Sequence, residues 1–128
     1  MDDIFDRNIG VWDEDFQKRL KGITVGVAGV GGSGCALLDI LARNGFGRFK
    51  VADPDYFERH NIQRQLYAND LTLGQSKAQV AAEHLKKINP DIHLEIFQDG
   101  VTTDNLENFL DGCDFVHEAI DYSVCGLK

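Results

Sequence analysis

The sequence predicts an α/β fold, a Rossmann-like three-layer unit around a mainly parallel sheet, and three observations carry that prediction. A short apolar run from Ile23 to Ala28 ends directly at a glycine cluster, Gly29-Val-Gly31-Gly32-Ser-Gly34. Apolar runs then alternate with amphipathic segments over short connections, as strand–helix–strand units require. Two of those runs end on an acid, Asp53 after the second and Asp121 after the last.

Taken in order, residues 1–22 form an N-terminal helical arm, and residues 23–128 form the α/β domain. In the arm, Asp13-Glu14-Asp15 precede Phe16-Gln-Lys18-Arg19-Leu20, placing acids in the first turn of a short helix and cations near its end. Arg7, between short polar residues, reads on its own as a solvated surface charge. Ile23–Ala28 is the first strand. Gly34–Asn44 is a helix with Leu37, Leu38, Leu41 and Ala42 on one face, stopped by Gly45. Arg48–Ala52 is the second strand. Tyr56–Gln65 is a polar loop with one helical turn. Ser76-Lys77 opens the clearest helix, with Ala78, Ala81, Ala82, Leu85 and Ile88 as its buried stripe and Asn89-Pro90 as its stop. Ile92–Phe97 alternates as a strand, Thr103-Asp-Asn105 caps a short helix through Leu110, and Phe115–Ile120 is the last strand.

At 128 residues with net charge −8, the chain is one domain or part of one. The acidic balance argues against nucleic acid as the main partner, because a phosphate-backbone binder carries a basic footprint. No stretch approaches the roughly 20 apolar residues of a membrane span, and the acidic MDDIFDRN start is unlike a signal peptide, so the protein is read as cytoplasmic. Cys35, Cys113 and Cys125 lack CxxC spacing and are odd in number, which indicates neither a zinc ribbon nor a disulfide framework. The four histidines share no spacing and are read as structural or solvated.

The glycine cluster supplies what a phosphate needs: a tight turn, close backbone approach, and free N–H groups at a helix start. Gly29, Gly31 and Gly34 match GxGxxG, with Gly32 beside them, and Asp53 follows the last glycine by about 20 residues, where a ribose-binding acid belongs. Asp55 completes that acidic end. To this point NAD and ATP fit equally. Residues downstream of Asp55 make the choice: Asn61, Arg64 and Gln65 in the loop and Lys77 at the next helix start are counter-charges and amides that a triphosphate needs and a dehydrogenase does not.

Six segments in order, Gly29-Val-Gly-Gly-Ser-Gly34, Ala52-Asp-Pro-Asp-Tyr56, Asn61-Ile-Gln-Arg-Gln65, Leu73-Gly-Gln-Ser-Lys77, Ile88-Asn-Pro90 and Ala119-Ile-Asp121, resemble the ThiF/MoeB-type adenylyltransferases, relatives of the ubiquitin-activating enzymes. With the Phe5-Asp-Arg-Asn8 start, the resemblance spans residues 5 to 121. It implies that the glycine loop and Asp53 hold adenosine and ribose, that Asn61, Arg64, Gln65 and Lys77 surround the phosphates, and that Asp121 holds Mg²⁺. It also implies that Arg7 crosses a homodimer interface to the ATP of the partner subunit. The implied reaction is attack by a carboxylate, typically the C-terminal glycine of a ubiquitin-like sulfur carrier, on the α-phosphorus of ATP. In that case Arg7, Arg64, Lys77 and Asp121 carry catalysis by positioning and charge neutralisation. Two other classes stand against it, a nucleotide-binding module without turnover and an NAD-dependent oxidoreductase. The family continues well beyond the position of Lys128, so the chain is expected to match its N-terminal half in an apparently truncated form, with an uncovered sheet edge that favours dimerisation.

Overall fold

In the computed structural model the described residues run from Asp3 to Ile120. Four strands, β1 (Thr24–Ala28), β2 (Arg48–Ala52), β3 (His93–Phe97) and β4 (Phe115–Glu118), form one sheet in the order β3-β2-β1-β4, and every neighbouring pair is parallel. The helices are α1 (Glu14–Leu20), α2 (Gly32–Arg43), α3 (Lys77–Ile88) and α4 (Leu106–Leu110), with short 3₁₀ helices at Asp3–Asn8 and Arg59–Asn61. The predicted three-layer parallel architecture is the observed one.

Each element follows from local chemistry. In α1, the Asp13 carboxylate accepts from Phe16 N at 2.8 Å, capping a helix whose acids and cations oppose its dipole. Helix α2 begins two residues earlier than its leucine pattern predicts, because Gly32-Ser-Gly34 is already helical and the first turn of the helix is the glycine loop itself. It ends where Gly45 takes φ +106°, a conformation that side chains disfavour. In α3 the Ser76 side chain caps Gln79 N at 3.3 Å, Ala78, Ala81, Ala82 and Leu85 are buried as predicted, and Lys77 and Val80 are buried as well. The predicted side-chain cap of α4 is not made. Asn105 accepts from Thr102 N at 2.7 Å and donates to Gly100 O at 2.7 Å, tightening the preceding turn instead.

The main core lies on one face of the sheet, where Val25, Val27, Phe49 and Val51 meet Leu38 and Ala42 of α2 and Ala81 and Leu85 of α3. Burial of such side chains is worth about 1.5–3 kcal/mol each. On the other face Phe109 of α4 packs against Ala28 and Ala52, and Gly26 leaves it room: a Cβ there would sit 3.2 Å from the Phe109 ring. Lys50 holds α4 by its C-terminal end, donating to Asn108 O at 2.6 Å and to Asp111 O. Among the described strands β4 has no outer neighbour, and Phe115 and Val116 are exposed on it. No helix among the described residues is long and apolar enough to cross a membrane.

Candidate nucleotide site

In an open parallel sheet, ligands bind beyond the carboxyl ends of the strands where the chain switches direction. Here β1 leads through α2 to β2 on one side while β4 flanks it on the other, and the glycine loop lies at that switch point. Its glycines divide into two pairs. A Cβ on Gly29, whose φ is +102°, would lie 2.5 Å from Ala119 O, and one on Gly34 would collide with Gly29 O. These two let strand, turn and helix close on one another. A Cβ on Gly31 would meet only Gln65 Nε2 at 3.7 Å, and one on Gly32 only the Arg64 backbone and stem at 3.6 and 3.8 Å. That pair leaves an open cradle roofed by Arg64 and Gln65, the residues predicted to face phosphates.

Asp53 is buried beneath the loop. Its Oδ2 accepts from Val30 N at 2.6 Å and its Oδ1 from Asp55 N at 2.8 Å, so the carboxylate ties the end of β2 to the glycine turn. Burial pushes its pKa above the usual carboxylate range, and the two N–H bonds and the Lys77 charge partly oppose that. Asp55 is exposed, with its backbone carbonyl accepting from Lys77 N at 3.0 Å.

Lys77 is only 6% exposed at the start of α3, and its Nζ lies 5.7 Å from the centre of the buried Phe57 ring. Among the described residues no carboxylate stands within ion-pair distance of that ammonium. Gln65 is 5% exposed, and its Oε1 has no hydrogen-bond partner there. A buried lysine and a buried orphan amide beside an open glycine cradle are groups that an anionic ligand would satisfy. Arg64 is exposed and donates to His60 O at 3.1 Å.

The other predicted site residues are placed differently. Asn61 is buried, but its Oδ1 accepts from Glu58 N at 2.8 Å and its Nδ2 approaches His60 Nδ1 at 3.3 Å, so its amide shapes the loop from inside. Arg7 lies exposed in the arm, which packs through Phe5 and Gln17 on Gly45 at the opposite end of the sheet; within one chain it is not part of the site. Asp121 and Cys125 lie outside the described residues, and no group of three metal-ligating side chains occurs among the described ones. Burial pushes the Cys35 thiol up to about 11 and raises Cys113 too, which keeps both protonated and inert at neutral pH.

Phe57 and Tyr67, buried on either side of Lys77 and the Arg64–Gln65 segment, were not singled out by the sequence, where they read as loop aromatics without period. A surface groove of about 450 Å³ between α3 and β3, over Ala82, Leu94 and Ile96, shares no residue with the glycine loop. The loop is identified by its unsatisfied polar groups, and concavity alone would point elsewhere.

The profile of the ThiF family matches residues 5–124. The chain belongs to the ThiF family. Among its relatives, the tRNA threonylcarbamoyladenosine dehydratase of Haemophilus influenzae is 36% identical over 112 residues, covering 87% of this chain and 43% of that protein. The SAMP-activating enzyme E1 of Haloferax volcanii is 37% identical over 105 residues, covering 82% of this chain and 39% of that protein. The crystal structure of the E. coli dehydratase TcdA in complex with ATP superposes with a TM-score of 0.86 at 31% identity, covering 91% of this chain and 49% of that one. This ThiF-family chain thus spans about half the length of the relatives it matches or less.

Proposed function

We propose that this chain carries the nucleotide-holding part of an ATP-dependent adenylyltransferase that activates a carboxylate as an acyl-adenylate with release of pyrophosphate. The observation that carries the proposal is the buried Lys77, without an ion pair among the described residues, beside the Gln65 Oε1 that has no partner among them at the open Gly31–Gly32 cradle. The α2 N-terminus and the glycine N–H groups would hold phosphate oxygens, Asp53 and Asp55 the ribose, and Asn61 would keep the loop in shape. ATP supplies an electrophilic α-phosphorus and a pyrophosphate leaving group. Arg64 and Lys77 would neutralise the charge that develops on that leaving group, and Arg7 of a second copy would do so across a homodimer interface. Asp121 would hold Mg²⁺, which takes one or two carboxylates together with phosphate oxygens and so needs no larger protein cluster. The nucleophile needs no base, since a carboxylate is ionised at neutral pH.

For the carboxylate, the C-terminal glycine of a ubiquitin-like sulfur carrier in the cytoplasm is the first reading, supported by the SAMP-activating E1 relative. The likeness to TcdA favours a second one, the carboxylate of a tRNA-borne threonylcarbamoyladenosine. Pyrophosphate exchange into ATP, measured with a ubiquitin-like protein and separately with threonylcarbamoyl-modified tRNA, tests both. Exchange dependent on one acceptor assigns the substrate. Nucleotide binding without exchange with either supports a module without turnover, and tight binding of NAD in place of ATP overturns the proposal.

A further inference from the structure

Residues 62–76 contain neither helix nor strand, yet they carry Arg64 and Gln65 to the glycine cradle. Something other than a backbone ladder must hold them there. Tyr67 follows Gln65 by two positions and is 3% exposed. Its ring lies against His84 of α3, with centroids 4.4 Å apart and an interplanar angle of 38°. His84 in turn is fixed to α2 by Nε2 at 3.2 Å from Asp39 Oδ1, and Asp39 also accepts from Arg43 at 3.0 Å. Cys35, buried in the same core, donates its thiol to Val30 O of the glycine loop at 3.3 Å. The Tyr67 carbonyl accepts from Thr72 Oγ1 at 2.7 Å, closing the turn behind it.

Given that the cradle holds ATP in the manner of the proposed function, we propose that Tyr67, stacked on the His84–Asp39 pair and backed by the Thr72 turn, is the positioning residue that sets Arg64 and Gln65 over the glycine loop. The clamp draws on α2 at Asp39 and on α3 at His84. Those are the two helices whose N-termini border the site. The ring fills this role and the hydroxyl does not: Tyr67 OH is buried without a partner among the described residues. A flat aromatic fits the slot, and its oxygen adds only a desolvation cost.

Backbone hydrogen exchange of residues 61–68, together with ATP titration, tests the clamp in the free protein. Tyr67→Leu and the half-exposed His84→Ala are each expected to speed exchange across 61–68 at least tenfold while amides of β1 and α2 keep wild-type rates, and to weaken ATP binding about tenfold. Tyr67→Phe should match the wild type in both readouts. In a Gln65→Ala background His84→Ala should add little to the loss of ATP affinity, because both act through the same segment. Unchanged exchange at 61–68, acceleration spread evenly over the sheet, or full additivity with Gln65→Ala overturns the role of Tyr67. Wild-type protein that shows the local exchange pattern yet does not bind ATP leaves the clamp standing and removes the nucleotide reading.

Discussion

The two ends of the sheet handle buried polar groups in opposite ways. At the amino end Gln17 is 1% exposed, yet both its amide oxygen and its amide nitrogen are bonded: it accepts from Asn8 Nδ2 at 3.1 Å and from Trp12 Nε1 at 2.7 Å, and donates to Asn44 O at 2.8 Å. At the carboxyl end Gln65 is nearly as buried, and among the described residues its carbonyl has no hydrogen-bond partner and the Lys77 ammonium makes no ion pair. One glutamine closes a structure and the other leaves it open. A satisfied buried amide contributes to stability, whereas an orphaned one is a cost that a bound partner can remove. The contrast separates stability from function by position.

Substitutions at the two ends should therefore dissociate the two properties. The largest effect is expected at the open end: Lys77→Met should lower pyrophosphate exchange about 100-fold. Its melting temperature should change little, since the ammonium makes no ion pair among the described residues and Met keeps the apolar stem. A fall in stability that parallels the loss of exchange would put Lys77 among the structural residues. Next comes Gly45→Ala at the closed end. It forces a side chain into φ +106° and against Gln17, so unfolding titrations should show a loss of about 3 kcal/mol. Gly31→Ala, with φ −91° and open space, should stay within about 0.5 kcal/mol of the wild type while ATP affinity falls. Equal destabilisation by both would erase the difference between the ends.

Gln17→Ala strands the Trp12 and Asn8 donors and the Asn44 carbonyl, and denaturant unfolding should register about 2 kcal/mol. Calorimetry should find ATP affinity within about twofold of the wild type, since the residue acts at the far end of the sheet. The smallest effect concerns Asp53. Its folded pKa is raised by burial, so its favourable contribution is complete below the unfolded value near about 3.9 and is lost as pH rises through the folded value. The stability of wild type relative to Asp53→Asn should accordingly grow on acidification; the opposite slope would mean that the Val30 and Asp55 amides outweigh desolvation.

Much of this layout was legible in the residues. The second strand, Arg48–Ala52, lies where its apolar run places it, and α3 begins at Lys77 because Ser76 caps it and ends because Asn89-Pro90 follows. Rules of short range were decisive there. The sequence was less informative where side chains had a choice of partners. Asn61 pairs with Glu58 N three residues away, and Asn105 bonds backward to Gly100 and Thr102 and leaves α4 uncapped. Gln17 sits in a helix flanked by charges, with no periodic sign of burial, and only the return of the chain at Asn44 makes it a core residue.

By itself the sequence determined the strand–glycine turn–helix unit, the parallel α/β class and the family, because these depend on steric demands at single positions and on apolar periodicity along the chain. Which polar groups remain unsatisfied was decided by tertiary structure alone. That property belongs to pairs of residues far apart in sequence, such as Gln17 with Asn44 or Gly31 with Gln65, and it exists only once α2 and the loop before α3 are packed at the carboxyl end of the sheet.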